Sequence, residues 1–121
     1  MKIWEKSSHA FQAGKVHASN LLRLYRYEER LKSINDDKVL ANSEAYRKKV
    51  EETEALLSKV ENPEFKKSFI KGFEIKLQRI NDSENTLLSR AAIMPQEFRS
   101  KTVISRVEEY FQKLKKRHKT K

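Results

Sequence analysis

A chain of 121 residues has room for one core, since single domains typically run to about 100–150 residues. Its 27 Lys and Arg against 17 Asp and Glu leave a net charge of +10; with 37% hydrophobic and 36% charged residues, it reads as a soluble, elongated or self-associating chain drawn to polyanions. Having no cysteine, two glycines and two prolines excludes a disulfide framework, a thiolate zinc site, a Gly-rich phosphate loop and a hairpin-rich fold, which leaves an all-α chain.

The first unit runs from about Ile3 to Ile34. Leu21, Leu24, Tyr27 (or Glu28), Leu31 and Ile34 recur at steps of three and four, which is helical periodicity. Upstream, Trp4, Phe11, Ala18 and Tyr25 are spaced at sevens. Gly14 weakens the helix there by about 1 kcal/mol relative to Ala, so a bend or a late start is expected. Charges among the first six residues deny a secretory signal its apolar stretch, and no run approaches a membrane span, so the expected location is cytoplasmic.

Asn35-Asp36-Asp37 breaks the first helix and offers a cap for the second, with Asn42-Ser43 as the alternative start. Val39, Ser43, Tyr46, Val50, Thr53, Leu57 and Val60 then alternate steps of four and three, a narrow seam suited to one neighbouring helix of an antiparallel bundle. Asn62-Pro63-Glu64 combines a capping side chain, a proline at the first helical position and an acid near the positive end of the dipole. It starts a long third helix, about 63 to 93, with Phe65, Phe69, Phe73, Leu77, Ile80, Leu87, Ala91 and Met94 close to one stripe. Asn81-Asp82-Ser83 favours local side-chain bonds and predicts a kink or split, and Pro95 ends the helix. A fourth unit, from about Gln96 or Lys101 to Lys116, places Phe98, Val103 or Ile104, Val107, Phe111 and Leu114 on one face.

Three or four helices therefore form a bundle over residues 1–114, and residues 115–121 project beyond it as a basic tail. Charge is uneven along the chain: +4 over 1–34, −2 over 35–62, +2 over 63–94 and +6 over 95–121. The acidic second helix is the natural counterpart of the basic ends.

Catalytic signatures are absent from the sequence. His9, His17 and His118 lie at no ligand spacing and the stretch 7–27 holds no acid, so they read as surface histidines, with neither a metal site nor a cofactor expected. The adjacent carboxylates, such as Glu51-Glu52 and Glu108-Glu109, point about 100 degrees apart on a helix and read as solvated faces. There is no nucleophile elbow, which makes a non-enzymatic role the expectation.

The basic segments hold more information. Lys113, Lys115, Lys116, Arg117, Lys119 and Lys121 put six cations in the last nine residues, more than dipole compensation at a helix end needs. Arg106 precedes them on the same helix, and Arg23, Arg26 and Arg30 share one side of the first helix. All ten are candidate phosphate contacts for DNA or RNA, bound with salt dependence and without sequence specificity, since no helix-turn-helix or basic-zipper order is present. Tyr25 and Tyr27, interleaved with these arginines, read as core rim. The rival expectation is a helical adaptor, assembly factor or chaperone that docks an acidic protein or forms a homodimer; exposure of the Phe65, Phe69, Phe73 stripe would mark it. Leu24-Tyr25-Arg26 resembles the tripeptide that names the LYR family of small basic helical mitochondrial assembly factors. The resemblance covers one turn and falls at the end of the first helix, where that family has it near the chain start, so no functional residue is carried over from it.

Overall fold

The computed structural model describes residues 7–90 and 101–117, with side chains over 9–83 and 103–117, and within them the chain forms four helices and no strand. They are α1 (Ser7–Leu31), α2 (Asp37–Lys59), α3 (Pro63–Arg90) and α4 (Lys101–Arg117). The expectations placed on Ile3, Trp4, Ala91, Met94, Pro95, Phe98, His118, Lys119 and Lys121, and on the side chain of Leu87, lie outside the described residues.

Local chemistry sets the helix starts. The Asp36 carboxylate accepts from the backbone N–H groups of Lys38 at 2.8 Å and Val39 at 3.4 Å, so α2 takes the earlier of its two candidate starts. The Asn62 side chain accepts from the Glu64 N–H at 3.0 Å, with Pro63 opening α3. α3 runs unbroken through Asn81-Asp82-Ser83, so the helix is not split there. The Asn81 amide donates to Glu108 of α4 at 3.0 Å and is thereby drawn away from its own backbone.

Cross-helix pairs give the directions. Tyr27 stacks on Tyr46, Glu28 meets Arg47, and His17 connects through Tyr110 to Glu54, so α2 returns antiparallel along α1. Arg106 lies against Tyr25 and Glu28 while Tyr110 lies against His17, so α4 is also antiparallel to α1. The result is an antiparallel bundle in which α1 touches the three other helices, α3 most extensively.

The stripes fill one core. Phe65, Phe69 and Phe73 are fully buried, joined by Leu21, Leu24, Leu57, Leu77, Val107, Phe111 and Leu114. The α2 seam is buried at Val39, Ser43, Val50, Leu57 and Val60. α1 does not start late at Gly14 but continues through it, and that glycine lies where the backbones of α1 and α3 touch. A Cβ on Gly14 would overlap the Phe69 carbonyl oxygen and approach the Phe73 nitrogen to 2.9 Å, and one on Gly72 would overlap the Phe11 carbonyl. The lost helix propensity, about 1 kcal/mol, is offset by this close approach.

Candidate nucleic-acid interface and a buried polar centre

The end of α4 is amphipathic by simple periodicity. Val107, Phe111 and Leu114 turn inward, which leaves Lys113, Lys115, Lys116 and Arg117 exposed. No ion pair among the described residues engages these four cations; Lys115 rests over the Phe111 ring with its Nζ 5.3 Å from the centroid. They stand at the negative end of the helix dipole, which holds them favourably without neutralising them.

Arg106 stands differently. Its guanidinium lies 3.9 Å from the centroid of Tyr25 and reaches Glu28 at 3.6 Å and Glu29 at 3.9 Å. It fastens α4 to α1, and the acids that balance it come from α1 and not from α2. Tyr25 is the core-rim residue its spacing suggested, and burial raises its hydroxyl pKa above the ordinary value despite the Arg106 charge.

Arg23, Arg26 and Arg30 are exposed along α1, but the fold does not bring them to the α4 end. Because α4 runs antiparallel to α1 from Arg106 beside Glu28, its last residue lies about 16 Å further toward the start of α1 at 1.5 Å per residue. No contact among the described residues joins Arg23 or Arg30 to Lys113, Lys115, Lys116 or Arg117, and Arg23 turns instead to Tyr46 of α2.

A buried centre was not foreseen from the sequence. His17, read there as a surface residue, is fully buried, with its ring packed at 5.6 Å from Phe69, 5.9 Å from Phe73 and 5.4 Å from Tyr110. The Tyr110 hydroxyl donates its one hydrogen to Glu54 at 3.0 Å, so the His17 Nε2–H is the donor in the 2.7 Å bond between His17 and Tyr110. His17 Nδ1 is buried with no hydrogen-bond partner among the described residues. Burial lowers the imidazole pKa to about 4, so it is neutral near pH 7. Burial, and then the Glu54 charge and hydrogen bond, push the Tyr110 phenol up. The signal was present in the chain: counting back from Leu24 and Leu21 by three and four places His17 and Gly14 on the core stripe.

This His–Tyr–Glu chain joins α1, α4 and α2, and it resembles a proton relay in composition alone. A general base must reach a substrate proton, and a ring with no exposed surface reaches none. Among the described residues no cluster of three or more His, Asp or Glu could hold a metal ion.

No protein-family model, curated protein or solved structure matches the chain. In the Leu24-Tyr25-Arg26 tripeptide, Leu24 is buried, Tyr25 lies beneath Arg106 and Arg26 is exposed.

Proposed function

We propose that the protein is a non-enzymatic accessory factor that binds nucleic acid through phosphate contacts, largely without sequence specificity. The observation that supports this is the group of four exposed cations, Lys113, Lys115, Lys116 and Arg117, with no acidic partner among the described residues. Each neutralised phosphate releases condensed counterions, so such a surface binds polyanions strongly at low salt and weakly at high salt. Lys119 and Lys121 extend the same run. Arg106 contributes to anchoring α4 and is left out of the contact set.

The test replaces charge and leaves the fold alone. Truncation at residue 113 would remove the buried Leu114 along with the lysines, so the quadruple variant Lys113→Gln, Lys115→Gln, Lys116→Gln, Arg117→Gln is the better probe. Its affinity for DNA and RNA should fall on the order of tenfold or more at low salt, with a duplex salt slope shallower by about 0.9 for each phosphate no longer neutralised. Unchanged affinity and slope on every polymer would end this reading.

The adaptor alternative leaned on exposure of Phe65, Phe69 and Phe73, and these rings are interior. The large apolar side chains that remain exposed, Val16, Ile34, Leu40 and Leu56, are spread over two helices and a turn, which gives a homodimer no continuous apolar face among the described residues. An acidic protein partner would use the same α4 cations, and competition between a polyanionic peptide and nucleic acid separates the two. No helix among the described residues is long and apolar enough to cross a membrane; a cytoplasmic setting belongs to this proposal.

A further inference from the structure

Tyr46 of α2 gathers two cations on one ring. The Arg23 guanidinium of α1 lies 5.7 Å from the Tyr46 centroid and donates to its hydroxyl at 3.2 Å, and the Lys49 Nζ lies 4.9 Å from the same centroid. Tyr27 stacks against Tyr46 at 5.8 Å with the planes inclined by 18°, and both rings are half-buried. Arg47, one residue from Tyr46, is paired with Glu28, whereas neither Arg23 nor Lys49 is in an ion pair among the described residues. The ring face attracts each cation, but it does not cancel the repulsion between them, and an anion placed at the pair would. Arg30, exposed at the end of α1, adds positive charge on the same helix.

We infer that the α1–α2 face around Tyr46 is a second phosphate-binding surface for single-stranded nucleic acid, in which Arg23 and Lys49 swing from the Tyr46 ring to backbone phosphates and thereby uncover its face for an unpaired base. A single strand is favoured over a duplex because its bases are available to stack, and stacking on tyrosine tolerates any sequence. The inference rests on the nucleic-acid reading and deepens it: one strand running between this face and the α4 end would engage two surfaces, each raising the effective concentration of the other.

Fluorescence anisotropy titrations against labelled oligothymidylate, oligouridylate and a mixed-sequence DNA duplex, over a range of salt, test it with the full chain. Arg23→Gln with Lys49→Gln should weaken both single strands about tenfold and flatten their salt slope by about 1.4, at about 0.7 per phosphate, while duplex affinity moves little. Tyr46→Leu should show the same preference for loss on single strands, and Tyr46→Phe, which keeps the ring, should retain most of the binding. If the double variant binds single strands as the parent does, this surface is not a site, although loss in the α4 quadruple variant would leave the broader reading intact. Loss in the double variant alone upholds this surface and removes the α4 end. No binding by the parent chain to any polymer overturns both.

Discussion

Gly14 and Gly72, the two glycines of the chain, face each other where α1 crosses α3, each occupying the position at which a Cβ would strike the other helix's backbone. The neighbours are main-chain atoms, the Phe69 and Phe11 carbonyls, so no side-chain rotation relieves the overlap. Gly14→Ala gains about 1 kcal/mol of helix propensity but forces the helices apart, and overpacking of this kind costs about 1–3 kcal/mol and occasionally more. Gly14→Ala and Gly72→Ala should each lower the denaturation midpoint. The double variant should lose less than the sum, since one displacement relieves both overlaps. Equal or raised stability in both single variants would show that the crossing is not tight.

His17 links stability to acidity. Its pKa is about 4 in the folded protein against 6.5 in an unfolded chain, so the unfolded state binds the proton more readily. Stability is therefore full above about pH 6.5 and falls as pH drops toward about 4, by about 3 kcal/mol at most for a shift of this size. The groups facing the ring are Phe69 and Phe73 of α3 and Tyr110 of α4, with Glu54 of α2 behind the phenol. His17→Gln removes the titration and should flatten this part of the stability profile in denaturant melts across the pH range. An identical slope in parent and variant would place the acid sensitivity elsewhere.

Arg106 and Lys115 share a helix and a charge but should respond oppositely to substitution. Arg106→Gln removes the cation over Tyr25 and the pairs with Glu28 and Glu29; with about a third of its side chain exposed, a loss of about 1 kcal/mol is the reasonable scale after solvent screening. Lys115→Gln should leave stability within about 0.5 kcal/mol, as exposed substitutions usually do. Nucleic-acid affinity should follow the reverse order. Thermal melts paired with anisotropy titrations measure both, and a larger affinity loss at Arg106 than at Lys115 would return Arg106 to the binding surface.

The helices were legible from residue spacing because burial acts on a period. The seam from Val39 to Val60, the phenylalanine stripe of α3 and the Asn62-Pro63 start all depend on neighbours three or four residues away, which the sequence displays directly. The split expected as an alternative at Asn81 is absent for the opposite reason: its amide finds Glu108, 27 positions along the chain. His17 was misread through its residue type, although its spacing placed it with Leu21 and Leu24. Arg106 was grouped with the tail cations by charge, and only the arrival of α1 beside it reveals that Tyr25, Glu28 and Glu29 hold it.

The sequence by itself determined an all-α chain, the start of α3, the inward faces of α2, α3 and α4 and the surplus of positive charge, because these follow from local hydrogen bonds, periodic burial and composition. Tertiary structure alone decided which glycines touch, which histidine is buried, which arginine is held and how the cations divide between the α4 end and the Tyr46 face. Those outcomes depend on groups tens of residues apart coming within a few ångströms, and short-range electrostatics and packing take their sign from such neighbours.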